Sequence, residues 1–311
     1  MRRPFLGRLL ISTTVLAGCG AESVQAPSLA SRDALLDRGA ASSDRTYTYS
    51  TIDYPSATTA GTIAWGINAG GDVVGEYFDA AGRHGFLLRN GVFTAIDFPA
   101  LGALTSARGI NAGGDIVGVY RRAIEPPVNT HGFLLTRQGE FVNVDFPGHI
   151  NTIPQRILAD GTILGCRHDN DTMGSMRGIM IDRSGPSEID EFASMNNGAT
   201  PNRQRIVGLW TNMMTGRGEG YIIDDGEFTS FVVPGSTSTA AWDVNPGGEI
   251  AGVYANGPLV HGFVRSGDEY VSIDFPGATA TRAFGINARG DVVGSYVIGG
   301  RTFGFLAQRN R

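Results

Sequence analysis

"WGINAGGDVVGEY", Trp65 to Tyr77, decides the fold, because the phrase returns as RGINAGGDIVGVY (Arg108 to Tyr120), WDVNPGGEIAGVY (Trp242 to Tyr254) and FGINARGDVVGSY (Phe284 to Tyr296). Two eroded copies, QRILADGTILG (Gln155 to Gly165) and the run ending RIVG (Arg205 to Gly208), lie between them. Each copy reads as a β-hairpin. Asn-Ala-Gly-Gly, Asn-Pro-Gly-Gly and Asn-Ala-Arg-Gly supply residues that tolerate positive φ between two strands. The hairpin's last glycine recurs as Gly75, Gly118, Gly165, Gly208, Gly252 and Gly294, at steps of 42 to 47 residues. A second landmark, HGFLL, recurs as Gly85-Phe86, Gly132-Phe133, Gly178-Ile179, Gly220-Tyr221, Gly262-Phe263 and Gly304-Phe305. Such a period, with no helical pattern between copies, predicts an all-β six-bladed β-propeller of four-stranded antiparallel blades.

Each unit parses into an inner strand (AWGIN), a second (DVVGEY), a third (HGFLLR) and an outer one (VFTAIDFP). Apolar runs such as Val73-Val74 and Leu87-Leu88 suit strands packed on both faces by neighbouring blades. The ends are complementary. The segment from Thr46 to Tyr54 reads as an outer strand without its own blade, whereas the last blade stops after its third strand near Gln308. Pairing the two is expected to close the ring and remove the open edges. An open solenoid is the competing fold, and it calls for polar caps at both ends.

The chain of 311 residues is 41% hydrophobic and 18% charged, and its 45 glycines suit many tight turns. Residues 1–18 join a basic start to the apolar run Leu9 to Ala17, which is too short to span a bilayer and reads as a signal peptide. Leu16-Ala17-Gly18-Cys19 resembles the lipobox of bacterial lipoproteins, and the resemblance implies acylation of Cys19. Gly20 stands where an Asp would resemble an inner-membrane retention signal, so the expectation is an outer-membrane lipoprotein, at the cell surface or in the periplasm. Arg2-Arg3-Pro4-Phe5-Leu6 also resembles a twin-arginine export motif. Removing the leader deletes three arginines and no acid, which moves the formal charge from −5 to −8. Nucleic acid is therefore excluded as a partner, and the membrane is reached through the lipid anchor alone. Residues 19–45 read as the lipidated Cys and a flexible tether with a reach of roughly 25 to 30 Å, and 46–311 as the propeller, expected to be a monomer. With Cys19 acylated, Cys166 has no disulfide partner.

GINAGGDVVG, GINARGDVVG and the recurring HGFLL resemble the HAF family of bacterial extracellular repeats, from about Tyr47 to Ala307. This chain has His-Gly-Phe where the family name records His-Ala-Phe. The resemblance implies export and a repeat fold, and no activity.

Chemistry is sparse in the sequence. Asp53, Asp97, Asp145, Asp190 and Asp274 occupy one repeat position, where near-equivalent environments argue for satisfaction of turn amides rather than acid–base catalysis. His84, His131 and His261 recur once per blade, as structural hydrogen-bonding residues rather than a metal cluster. The loop Gly165 to Gly178 collects Cys166, His168, Asp169 and Asp171, but lacks the glycine and terminal glutamate of a calcium loop. No metal or cofactor motif, Gly-x-Ser-x-Gly or phosphate loop is present. The connections from second to third strands vary most, which makes their face, with Arg121, Arg122, His168, Asp169, Asp171 and Arg217, the default recognition surface. Trp65, Arg108, Gln155, Trp242 and Phe284 precede each Gly-Ile-Asn equivalent, placed either to stack a sugar at the channel mouth or to be buried between blades. The expectation is a non-catalytic, surface-anchored binder of a glycan, peptide or protein. A propeller hydrolase or lyase acting on polysaccharide is the alternative, and it requires two convergent, unlike acids or bases.

Overall fold

The computed structural model describes residues 45–125, 129–169 and 175–310. Cys19, the leader, most of the tether and Asp171 lie outside the described residues. After β1 (Tyr47–Ile52) the strands fall into five quartets and a last set of three. These are β2 to β5 (Thr62–Ile67, Val73–Phe78, Arg83–Arg89, Val92–Ile96), β6 to β9 (Leu104–Ile110, Ile116–Arg121, His131–Leu135, Phe141–Asn143) and β10 to β13 (Asn151–Ile157, Ile163–His168, Arg177–Asp182, Gly185–Phe192). Then come β14 to β17 (Ser194–Ala199, Arg205–Asn212, Arg217–Asp224, Glu227–Phe231), β18 to β21 (Ser238–Val244, Ile250–Asn256, Leu259–Ser266, Glu269–Ile273) and β22 to β24 (Ala280–Ile286, Val292–Ile298, Arg301–Arg309). The first four quartets are separate antiparallel sheets; the fifth joins β22–β24 and β1 through one parallel pairing, Val260 with Ala280. The protein is thus an all-β propeller with four-stranded antiparallel blades, and no helix occurs among the described residues.

The repeated asparagine explains why the hairpin phrase is kept. Asn68 Oδ1 accepts the Asp72 amide at 3.0 Å, and its Nδ2 donates to the Asp72 carboxylate at 3.0 Å and to the Asn111 carbonyl of the next hairpin at 3.3 Å. Asn111 and Asn245 repeat this and reach Leu158 O and Asn287 O. One side chain therefore closes its own turn and ties it to the following one, while Gly71, at φ 91°, takes the left-handed backbone the turn needs.

Aromatic stacks couple successive sets in the same repeated way. The ring that follows Asp97 and Asp274 lies flat on the second-strand tyrosine of the next set: Phe98 on Tyr120 at 3.5 Å and Phe275 on Tyr296 at 3.6 Å. Tyr54, just after β1, does the same to Tyr77 at 3.6 Å. His84, His131 and His261 stack against Tyr77, Tyr120 and Tyr254 at 5.0 to 5.1 Å.

β1 pairs antiparallel with β24, from Tyr47 opposite Arg309 to Ile52 opposite Gly304. The expected strand over 46–54 is shorter because its last residues do other work. Asp53 takes the Arg301 guanidinium at 2.8 Å, and Tyr54 leaves the sheet to stack on Tyr77. Ile52 is buried against Ala64, Ile67 and Val73 of the first quartet together with Val293 of β23. The repeat carboxylates also differ from expectation: His84 reaches Asp97 at 2.7 Å, His131 reaches Asp145 at 2.9 Å and His261 reaches Asp274 at 3.0 Å. Asp145 also accepts the backbone amide of Gly132 at 3.1 Å. The physical reason is proximity: the histidine leads the third strand, whose partner strand ends at the aspartate.

Candidate functional site

Every inner strand carries a register shift at one place, between Ala64 and Gly66, Ala107 and Gly109, Pro154 and Arg156, Asn196 and Gly198, Ala241 and Asp243, and Ala283 and Gly285. The extra residues are Trp65, Arg108, Gln155, Asn197, Trp242 and Phe284. A bulge re-aims its side chain, and here it brings several of these side chains together. Trp65 lies 4.2 Å from Phe284 and 5.6 Å from Trp242 between ring centroids, Trp242 lies 5.0 Å from Phe284, and the Arg108 guanidinium sits 3.9 Å over the Trp65 ring. The two alternatives left open by the sequence thus resolve into a third arrangement, in which the rings are buried against one another across adjacent inner strands. Trp242 keeps a partly exposed surface, whereas Trp65 and Phe284 are buried.

The residue after the bulge is glycine in four inner strands, and close approach explains it. A Cβ on Gly66 would stand 2.7 Å from Arg108 O, and one on Gly109 would stand 2.7 Å from Gln155 O and 2.9 Å from the Arg156 Cα. The other two strands carry Arg156 and Asp243, which form a buried ion pair at 3.1 Å. Arg156 also donates to the carbonyls of Arg108 (3.0 Å), Gln155 (2.8 Å), Trp65 (3.1 Å) and Phe284. Asp243 accepts the amides of Val244 at 2.9 Å and Ile286 at 3.1 Å. Burial pushes the Asp243 carboxyl upward, opposed by Arg156 and the two amides. One cation therefore gathers inner strands from the first, second, third, fifth and last sets, a link the sequence reading missed. Its signal was visible as one Arg and one Asp in a column otherwise filled by glycine.

Toward the start of the inner strands, the end that bears the variable connections, a second layer of polar groups surrounds the rings. Glu76 is buried, lies opposite Ile63 in the ladder and has Arg83 Nε at 3.9 Å. Burial lowers the Arg83 and Arg108 guanidinium values, Arg108 to about 10, and Glu76 counteracts it in both. Trp65 Nε1, Glu76 Oε2, Arg108 Nε and Gln155 Oε1 are buried without a hydrogen-bond partner among the described residues.

The variable-connection residues are held locally. Arg121 Nε donates to Thr130 at 2.9 Å, Arg122 pairs with Glu125 at 2.9 Å, Asp169 accepts from His149 at 2.7 Å, and Arg217 binds Ser236. The His168 carbonyl accepts Asn151 Nδ2 at 3.2 Å. No described contact brings these residues to one another. Cys166 is fully buried, and burial raises its thiol to about 12. Among the described residues, no group of three or more His, Cys, Asp or Glu side chains is placed to hold a metal ion.

Two open clefts, of about 330 and about 430 Å³, lie between the fourth and fifth quartets on the opposite, short-turn end. Both are lined by Arg205, Asp224 and Gly248. Arg205 stands where Asp72, Asp115, Glu249 and Asp291 close four of the other hairpins, and the longer turn Thr200 to Gln204 opens the gap. Their charges satisfy one another, as Arg205–Asp224 and Arg265–Asp268 pairs.

No protein-family model matches the sequence, and no curated protein matches it. Solved structures do. A gluconolactonase from Xanthomonas campestris is 15% identical, with 85% of this chain covering 90% of that one at a TM-score of 0.54. TolB from Acinetobacter baumannii is 13% identical over 76% of this chain and 63% of its own, with a TM-score of 0.52. The β-propeller domain of the Trilobed protease from Pyrococcus furiosus, which has an open velcro topology, is 10% identical over 80% of this chain and 95% of its own, at 0.50. At such identities these likenesses establish the propeller fold and leave the activity to the site itself.

Proposed function

We propose that the chain is a binding propeller without catalytic activity, which recognises a glycan, peptide or protein at the end bearing its variable connections. The carrying observation is the state of Asp243. It is the carboxylate among the gathered inner strands, and Arg156 and two backbone amides consume its acceptor capacity. A polysaccharide hydrolase or lyase needs two unlike acids or bases free to move protons. Glu76, the other buried acid near the rings, faces Arg83 rather than a second acid.

The six strand sets form, on this reading, one closed six-bladed ring with β1 as the last outer strand. Its support is that Tyr54 stacks on Tyr77 as Phe98 does on Tyr120, which repeats between last and first sets the relation seen between neighbours. Export as a lipoprotein acylated at Cys19 completes the proposal. Cys19→Ser is expected to move the protein from membranes to soluble fractions, and unchanged membrane association contradicts the anchor.

The test of recognition is a glycan and peptide array probed with the wild type and with a variant in which residues 213–216 are replaced by Asn-Gly. Loss of the captured ligand at an unchanged melting temperature supports the assignment. Loss on changing Asn90-Gly91, at the short-turn end, overturns it.

A further inference from the structure

The third and fourth sets are joined differently from the neighbours around them. Val74 packs with Ala107, Ile110 and Phe133 between the first and second sets, and Ala251 packs with Ala283, Ile286 and Phe305 between the fifth and the last. The same positions between the third and fourth hold Leu164, Asn196, Ala199 and Tyr221. An isoleucine has become Ala199 and an alanine has become Asn196. Asn196 Nδ2 donates to the Ile179 carbonyl at 3.1 Å, and the Tyr221 hydroxyl donates to Asn196 Oδ1. Such bonds are exchanged for bonds to water when a junction opens, so they resist opening less than buried apolar area does. At the short-turn end, Asn68, Asn111 and Asn245 each reach a carbonyl of the following hairpin, but Leu158 stands in that place in the third set and has no side-chain donor. An ion pair, Arg203 with Asp182 at 2.7 Å, links the two sets there. At the variable-connection end a single residue, Ala193, connects β13 to β14, whereas residues 97–103 separate β5 from β6. Ala193 takes φ 54°, and beside it the Gly178 amide donates to Ser194 at 2.9 Å.

We propose that this junction is a seam: the short-turn ends of the third and fourth sets part about Ala193 as pivot, and the Arg203–Asp182 pair is the latch. An ion pair at the surface contributes little and is screened by salt, which suits a contact that releases. The inference concerns the scaffold and does not rest on the binding reading. Cys166 lies in the seam and reports on it. Ile163 of β11 packs with Val117 and Ile157 on the side of the second set, so alternation along the strand turns Leu164 and Cys166 toward the fourth. The Cys166 thiol is fully buried, and burial raises it to about 12, so it reacts when the seam opens or the chain unfolds.

The test is the rate at which dithiobis(nitrobenzoate) labels Cys166 in the Cys19→Ser protein, where it is the one thiol of the chain. The comparison is Val119→Cys combined with Cys166→Val, which puts the thiol at the same strand position in the second set. Val253→Cys in the fifth set serves if Val119→Cys does not fold. Without denaturant Cys166 is expected to react about tenfold faster or more, with little dependence on low urea, whereas the other thiol follows global unfolding. Arg203→Gln, or raised salt, is expected to speed the labelling of Cys166 by about twofold to fivefold, the measure of an exposed pair. Leu158→Asn supplies the donor that the third hairpin lacks, toward the Thr200 carbonyl, and is expected to slow the labelling by about fivefold. Equal rates for the two thiols, or a Cys166 rate that neither Arg203→Gln nor Leu158→Asn moves, overturns the proposal.

Discussion

Arg156 Nε and Asp243 Oδ2 meet at 3.1 Å from the third and fifth strand sets, at the two inner-strand positions where the other sets carry glycine. Both residues are buried. Their pairing lets one charged residue satisfy the carbonyls of Trp65, Arg108, Gln155 and Phe284, from four inner strands.

The energetic consequence is asymmetric. Arg156→Met or Asp243→Leu alone is expected to lower stability by about 3–5 kcal/mol, because each leaves a buried charge uncompensated. The double variant is expected to cost well under the sum of the two, since no charge remains. Urea unfolding of the four proteins measures the difference. Additive losses would show that the residues act independently.

His131 carries a pH dependence of definite sign. Its Nδ1 lies 2.9 Å from Asp145 and its Nε2 lies 2.7 Å from Glu125, and only the imidazolium donates from both nitrogens. Burial opposes the charge, but the hydrogen bonds to Asp145 and Glu125 outweigh it and raise the folded value, with Arg122, Tyr120 and Asn143 as the other polar neighbours. A raised folded value means that the stabilisation is fully present below about 6.5, the unfolded value, and fades as pH rises through the folded one. NMR titration of His131 is expected to give a value above that of a free histidine, and His131→Asn to flatten this part of the stability profile. A value at or below the free one contradicts the double clamp.

β1 is expected to be indispensable. Deleting residues 46–54 removes the ladder to β24, the Asp53–Arg301 pair and the Tyr54 stack, and leaves the edge of β24 open. Aggregation or loss of the cooperative transition is the expected result, whereas deletion of residues 21–42 is expected to be tolerated. A stable monomer lacking 46–54 would show that the ring does not depend on this strand.

The strand pattern, the turns and the partner of β1 were legible because repetition samples one solution several times, and the spare outer strand had one vacant place. The junction of the inner strands was not legible for the opposite reason. Arg156 lies in the worn copy QRIL and Asp243 departs from glycine in WDVN, so repeat consensus hid the two residues that tie these strands together. The candidates Trp65, Arg108, Trp242 and Phe284 do converge, because their bulges share one register, while Arg121, Arg122, Asp169 and Arg217 are occupied within their own connections. The histidine–aspartate pairs were missed because the reading treated each repeat column alone and not the ladder that sets Gly85 opposite Ile96 beside them.

Binding without turnover is the claim on which the functional account stands. Its most direct test is product analysis by mass spectrometry after prolonged incubation with each glycan or peptide that the protein retains. The account predicts that the ligand is recovered intact at every time point. Cleaved or eliminated product, formed by the wild type and lost in Glu76→Gln or Asp243→Asn variants that still bind, would contradict it and establish an enzyme.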